Sequence, residues 1–301
     1  MDNPAYHIPV MLEACISGLA IDPNGVYVDL TFGGGGHSRE ILKHLDKGHL
    51  YGFDQDPDAA SNIPENENFT FIMANFRDLK RYLRIYGVTK VDGILADLGV
   101  SSHQIDKAER GFSTRFEGKL DMRMSQSGEL TAAYVLNNYS EEELHRVFGM
   151  YGEVRNAKTL AKAIVSSRTG SPFGSIPDFK KLLDKYAPKG KYAKYAAQVF
   201  QAIRIEVNQE MAALEEMLDQ SIDLLKTGGR LVVMSYHSLE DRMVKNMIAK
   251  GKLHGELEKD FYGNPVRPLE PVSRKAIIAD ASEVGENKRA RSAKLRIARK
   301  N

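Results

Sequence analysis

The chain has 301 residues, 42% of them hydrophobic and 27% charged, with a net charge of +2. A length of this order carries one or two domains of roughly 100–200 residues each. No apolar run approaches the ~20 residues of a membrane span, and the opening MDNPAYHIPVMLEA lacks the basic flank and long apolar core of a signal peptide. The one cysteine, Cys15, lies among apolar residues. An internal disulfide and a cysteine-clustered zinc site are therefore excluded, an inert buried thiol is expected, and the reading favours a cytoplasmic protein.

VYVDLT, residues 26–31, is short and β-branched and predicts a first strand. The glycine-rich TFGGGGHS follows at 31–38. HSREILKHL then places Ile41, Leu42 and Leu45 at helical spacing. HLYGFD (His49–Asp54) reads as a second strand, and DPDAASN turns with Pro57 suited to a first helical position. FTFIMA, 69–74, is a third strand. FRDLKRYLRIYG is a helix carrying Leu79, Tyr82, Leu83 and Tyr86, and VDGILADLG, 91–99, is a fourth strand. Strands alternating with helices predict an α/β fold with a doubly wound, mostly parallel sheet.

The alternation stops between about Ser102 and Gln209, where the runs are helical. YSEEELHRVFGMYG opens with a capping box of Ser140 and Glu143. NAKTLAKAIVSSR sets Leu160, Ile164 and Val165 on one side, and SIPDFKKLLDKYA has Pro177 early and ends before Pro188. This block is read as a helical domain, 105–207, inserted into a sheet domain of 1–104 and 208–301. After it, QEMAALEEMLDQSIDLLKTGG predicts a long helix stopped by Gly228 and Gly229. RLVVMSYHS is a strand, LEDRMVKNMIAK a helix, and KAIIA and AKLRIAR two last strands. KLHGELEKDFYGNPVRPLEP reads as an irregular loop.

A strand, a glycine turn and a helix amino terminus form a generic nucleotide or anion site. Nothing supplies the lysine and hydroxyl of a triphosphate-binding loop. The dinucleotide pattern GxGxxG is incomplete, since Gly33 and Gly35 match but Ser38 stands at the third glycine. S-adenosylmethionine, held by a glycine-rich turn that need not cradle a pyrophosphate, is a third option. Asp54 ends the second strand about twenty residues on, where a carboxylate accepts from ribose hydroxyls. That placement suits NAD and S-adenosylmethionine equally. Asp56 is read as the cap before Pro57. Asp97 ends the fourth strand at the edge where doubly wound sheets bind ligands, and Gly99, Ser101 and Ser102 follow in a polar turn. A plain loop cap is the alternative for Asp97.

Positive charge is uneven. NKRARSAKLRIARKN holds Lys288, Arg289, Arg291, Lys294, Arg296, Arg299 and Lys300 with no acid. DKYAPKGKYAKYAAQ interleaves Lys185, Lys189, Lys191 and Lys194 with Tyr186, Tyr192 and Tyr195. Such patterns suit phosphate contact and base stacking. A solvated charged face is the plain alternative for each. His7, His37, His103 and His237 lack close ligand spacing and cysteine partners, which argues against a zinc site.

TFGGGGHS, DQDP, DLGVSS, ERGFS, LDMRM, FQAIRIEVN, SYHSLEDR and RARSAKLR occur in one order across residues 6–299. The ordered set closely resembles the RsmH (MraW) family, bacterial methyltransferases that act on a cytosine N4 in the decoding centre of 16S ribosomal RNA. Two positions depart permissively: Gly34 falls where the family tolerates other residues, and Tyr236 stands in a motif often written with Phe. The resemblance implies a Rossmann-like class I methyltransferase with a helical insertion for substrate recognition. It implies 16S rRNA in the small ribosomal subunit as partner. By the same resemblance S-adenosylmethionine contacts Gly35, Gly36 and His37, Asp54 holds the ribose, Phe76 lies by the adenine, and Asp97 and Gln104 complete the pocket. Gly33 and Gly34 are then expected to let the chain turn. Phe76 on its own reads as a core aromatic opening a helix.

The catalytic expectation is that the turn from Asp97 through Ser101 and Ser102 orients the amine. His237 is read as touching the base or its phosphate, with a helix-capping Ser238 and a structural His237 as the alternative. RNA binding draws on the two basic segments and on Arg110, Arg115 and Arg123. The sequence leaves a homodimer open. The rival readings are an NAD-dependent oxidoreductase, a methyltransferase acting on DNA or a small molecule, and a non-enzymatic RNA-binding ribosome assembly factor.

Overall fold

A computed structural model describes residues 9–301; His7, one of the four histidines weighed above, lies outside them. The chain divides into two compact units. One combines the residues up to Gly99 with Met211–Asn301, and the other is Val100–Glu210.

The first unit runs α1 (Leu12–Leu19), β1 (Val26–Asp29), α2 (Gly36–Lys43), β2 (His49–Asp54), β3 (Phe69–Met73), α3 (Leu79–Ile85) and β4 (Val91–Asp97). The second unit holds α4 (Ser102–Asp106), α5 (Ala132–Asn138), α6 (Glu141–Gly152), α7 (Ala157–Arg168), α8 (Ile176–Tyr186) and α9 (Tyr192–Asn208). The chain then returns through α10 (Glu210–Leu224), β5 (Leu225–Ser235), α11 (Ser238–Lys250), β6 (Leu269–Pro271), α12 (Ala281–Glu286) and β7 (Lys294–Lys300).

The sheet has seven strands in the order β3-β2-β1-β4-β5-β7-β6. The first five run parallel, and β7 lies antiparallel to both β5 and β6. Alternation along each strand sends neighbours to opposite faces. Ile94 joins the apolar layer under α3, α10 and α11, with Leu79, Leu83, Leu214 and Met247. Leu95 joins the layer under α1 and α2, with Cys15, Leu19 and Ile41. Cys15 is fully buried, and burial pushes its thiol well up, as expected of an inert cysteine. The chain order reverses between β1 and β4, which opens a crevice at the carboxyl ends of those strands.

The second unit is helical and packs its own core from residues such as Val135, Phe148, Leu160, Phe179 and Ile203. The capping box opens α6: Ser140 Oγ accepts from Glu143 N–H at 3.2 Å, and Glu143 Oε2 accepts from Ser140 N–H at 2.7 Å.

Two expectations about elements fail. KAIIA does not form a strand; only Ile277 bridges to Leu295. The edge strand is instead Leu269–Pro271, inside the stretch read as a loop. These pieces share one edge of β7, because Leu269–Pro271 takes its carboxyl half and leaves Ile277 only the amino end. The long helix also ends at Leu224, before Gly228, since Leu225 already pairs with Val91 in the sheet.

Candidate active site

Three carboxylates stand at the carboxyl ends of β1, β2 and β4. Register explains the alignment: Asp29 pairs with Gly52 and Leu95, Asp54 with Met73, and Asp97 with Met234. Asp29 is 1% exposed and accepts from Ser38 Oγ at 2.7 Å and from Thr31 N–H at 3.1 Å. Burial pushes its carboxyl up, and His37 and these donors moderate the rise. Thr31 Oγ1 in turn accepts from Asp97 N–H at 2.7 Å, which ties the ends of β1 and β4 together. Sequence reasoning passed over Asp29. The signal was present in a charged residue set within an apolar strand directly before the glycine turn.

The turn takes its shape from Gly33 (φ +50°) and Gly35 (φ +73°), both in the left-handed region. The reversal itself closes over Gly33 and Gly34, as expected, with Gly35 N–H donating to the Phe32 carbonyl at 2.7 Å. Gly34 contributes its carbonyl, which accepts from Arg39 Nη1 at 2.6 Å. Gly35 caps α2, so the amides of Gly36, His37 and Ser38 open the helix without intrahelical acceptors. A Cβ on Gly35 would press on the Phe32 ring at 2.9 Å, and one on Gly36 would overlap Pro9.

Asp54 Oδ2 accepts from Gly33 N–H at 2.7 Å and Oδ1 accepts from Asp56 N–H at 2.8 Å. Each oxygen keeps a lone pair for a hydroxyl donor. Burial pushes Asp54 up to about 6, against the two amide bonds. Asp56 caps the 3-10 turn that begins at Pro57, accepting from Asp58 N–H at 3.1 Å. His37 is 6% exposed, and its Nε2 lies 3.1 Å from the Val10 carbonyl oxygen. A carbonyl only accepts, so Nε2 carries the proton in that contact. Phe76 opens a 3-10 turn beyond β3, half-buried against the core.

Asp97 accepts from the Tyr236 hydroxyl at 2.7 Å. Burial pushes it up to about 6, with His37 and the Tyr236 bond pulling it down. Tyr236 was not among the expected site residues. His237 itself caps α11, its Nδ1 accepting from Glu240 N–H at 3.4 Å. The cap is therefore His237 and not Ser238. Its buried Nε2 lies 3.1 Å from Glu240 Oε1 without hydrogen-bond geometry. The first unit thus brings Gly33–His37, Asp54 and Asp97 to one sheet edge.

Ser101, Ser102 and Gln104 belong to the second unit. There Ser101 caps α4 and forms a capping box with the buried Gln104: Ser101 Oγ accepts from Gln104 N–H at 3.2 Å, and Gln104 Oε1 accepts from Ser101 N–H at 3.0 Å.

The basic residues divide into paired and exposed groups. Lys294 and Arg296 meet Asp241 at 3.1 and 2.7 Å, and Arg299 meets Glu270 at 3.0 Å. Lys288 and Arg291 are exposed. In the second unit Arg110 is buried and donates to the carbonyls of Arg123 and Met124, while Arg123 forks onto Asp121 at 2.8 and 2.6 Å. Arg115 is exposed, 3.6 Å from Asp106. Lys185, Lys189, Lys191 and Lys194 face solvent, but Tyr195 is buried and Tyr186 and Tyr192 pack on the helical core. Those tyrosines are not a stacking surface, because at helical spacing the apolar rings turn inward. Among the described residues the most exposed aromatics are Phe261 and Tyr262, 97% and 86% exposed, with Tyr134 and Tyr86 about half exposed. Phe261 and Tyr262 sit on a turn that Asp260 holds through the amides of Tyr262 and Asn264 at 2.9 and 2.8 Å.

A parallel sheet reversing at β1/β4, a glycine turn before α2, acids closing β2 and β4, and an antiparallel β7 beside β5 define a class I methyltransferase fold. The chain belongs to the MraW methylase family, whose profile matches residues 4–301. It is 58% identical over 295 residues to the ribosomal RNA small subunit methyltransferase H of Cytophaga hutchinsonii, covering 97% of this chain and 99% of that protein. The proteins of the same name from Amoebophilus asiaticus and Flavobacterium johnsoniae are 53% and 55% identical, each over 98% of this chain and over 96% and 98% of their own lengths. Among the described residues no helix is long and apolar enough to cross a membrane.

Proposed function

We propose that this protein transfers the methyl group of S-adenosylmethionine to the exocyclic N4 of a cytosine in the decoding centre of 16S rRNA, in the small ribosomal subunit of the cytoplasm. The observation that carries the reading is the acid-lined glycine turn, in a chain 58% identical almost end to end to a relative named ribosomal RNA small subunit methyltransferase H.

The residues present fit the cofactor. Gly35 and Gly36 keep the turn free of side chains, and the first amides of α2 are without helical acceptors. Asp54 offers a lone pair on each oxygen to the ribose hydroxyls, and Phe76 offers a half-buried ring to the adenine. When bound, S-adenosylmethionine supplies a methyl group on a sulfonium sulfur, which departs as a neutral thioether. The cytosine nitrogen forms the new N–C bond and gives up one proton.

On this reading Asp97 is assigned as the acceptor for that amine and for the proton it gives up. With its carboxyl at about 6 it is ionised at neutral pH, and it holds the amine by a charge-assisted hydrogen bond as positive charge develops on nitrogen. Cys15 is buried, in keeping with direct transfer that needs no cysteine adduct. The same reading gives Ser101 and Ser102 the orientation of the base and Gln104 a cofactor contact, on their sequence positions alone. His237 is assigned to shaping the end of β5 through its cap rather than to the base. Exposed Lys288, Arg291 and the four lysines 185, 189, 191 and 194 serve phosphates, and Phe261 and Tyr262 serve unpaired bases.

The test incubates labelled S-adenosylmethionine with small ribosomal subunits, protein-free 16S rRNA and DNA, then maps the modified base. Label on an rRNA cytosine N4 is expected. Absence of label from RNA overturns the reading. An assembly factor with a vestigial pocket would keep its cellular role after Asp54→Ala, whereas the methyltransferase would leave its base unmodified.

A further inference from the structure

Tyr236 lies one residue beyond β5, and its hydroxyl donates to Asp97 Oδ1 at 2.7 Å across 139 positions of sequence. Strand register creates the contact. Asp97 pairs with Met234, and Leu98 N–H donates to the Met234 carbonyl at 3.0 Å, so the chain leaving β5 passes the end of β4. Tyr236 N–H is held by Glu240 Oε2 at 2.8 Å, and the ring packs on the apolar layer that contains Cys15 and Leu95. The backbone and ring are thus fixed, with the hydroxyl aimed at Asp97. A Phe here would keep the packing and lose the donor.

We propose that Tyr236 is a positioning residue that locks one carboxylate oxygen of Asp97, leaving Oδ2 for the substrate amine. This rests on the role of Asp97 given above. The titratable groups that interact with that carboxylate are Cys15 on α1, Asp29 on β1, His37 on α2, Tyr236 after β5 and Glu240 on α11. Asp29 and Glu240 disfavour the negative charge, and His37 and the Tyr236 hydrogen bond favour it. The Tyr236 hydroxyl stays protonated throughout, since burial and then the Asp97 charge push it far up. It is a permanent donor and not a base.

The test compares Tyr236→Phe with the parent protein and with Asp97→Asn. Carboxyl carbon NMR of aspartate-labelled protein, with the Asp97 signal identified by its loss in Asp97→Asn, reads the titration without turnover. For Tyr236→Phe the Asp97 midpoint is expected to rise by about one pH unit. The acid limb of the pH–rate profile should move with it, lowering the rate at pH 6 about fivefold and narrowing the loss as pH rises. Binding of S-adenosylhomocysteine should not change. An unchanged midpoint and pH profile, with Asp97→Asn inactive, overturns the role of Tyr236 and keeps that of Asp97. An active Asp97→Asn overturns the role of Asp97 and this proposal with it.

Discussion

The two units hold their polar groups in opposite ways. In the helical unit the interior is apolar, and its buried Gln104 and Arg110 bond to backbone groups next to caps and turns. In the sheet unit three acids crowd the ends of neighbouring strands, and two of them sit at about 6, far above an ordinary aspartate's 3.8. Desolvated charge destabilises a fold, and it accumulates where ligands are to be bound. The difference teaches that stability and chemistry are assigned to different residues here: the insert is assembled for packing, and the sheet edge tolerates strain for a site.

Substitutions break or sharpen this contrast, and Asp97→Asn is the largest expected effect. It should lower methyl transfer by about 10²–10⁴-fold, while the melting temperature at pH 7.5 stays level or rises because a disfavoured charge is gone. A parallel loss of stability would show Asp97 to be structural. Next, Phe148→Ala in the fully buried insert core should cost about 3–5 kcal/mol in urea unfolding. Calorimetric affinity for S-adenosylhomocysteine, measured well below the melting point, should hold within about twofold. Gly35→Ala is intermediate: its left-handed φ of +73° and its contact with Phe32 predict about tenfold weaker cofactor binding and about 1–2 kcal/mol of lost stability.

A smaller effect follows from pH. Asp54 and Asp97 bind protons more tightly folded than unfolded, so between about 4 and 6 the native state carries the extra protons. Their contribution therefore strengthens the fold as pH falls through 6 and is complete below about 4. Unfolding free energies across pH 4–8 should show this slope, and Asp97→Asn should flatten it. The smallest effect separates two arginines of one basic run. Arg291→Ala should reduce the salt slope of RNA binding by about one unit. Arg296→Ala, which loses the pair with Asp241, should lower stability more than it changes that slope.

The strands ending at Asp54 and Asp97, the glycine turn, the Asp56 cap before Pro57 and the Ser140–Glu143 box were all legible in the sequence. Each is set by residues within a few positions of one another. Alternation, helical spacing and turn chemistry are short-range properties, and no distant partner can reassign them cheaply. Edge strands were less legible, because Leu269–Pro271 and Ile277 compete for one ladder and only the sheet ranks them. Charge was least legible. Lys294 and Arg296 look like an RNA patch until Asp241, more than fifty residues earlier, is seen to claim them. The alternation of strands and helices, the class of the fold and the strand ends at Asp54 and Asp97 were readable from the sequence, because periodicity and local bonds carry that information. Only the tertiary structure decided which groups those acids meet. Gly33 on Asp54 and Tyr236 on Asp97 depend on parallel strands ending in register, and register is a property of the assembled sheet.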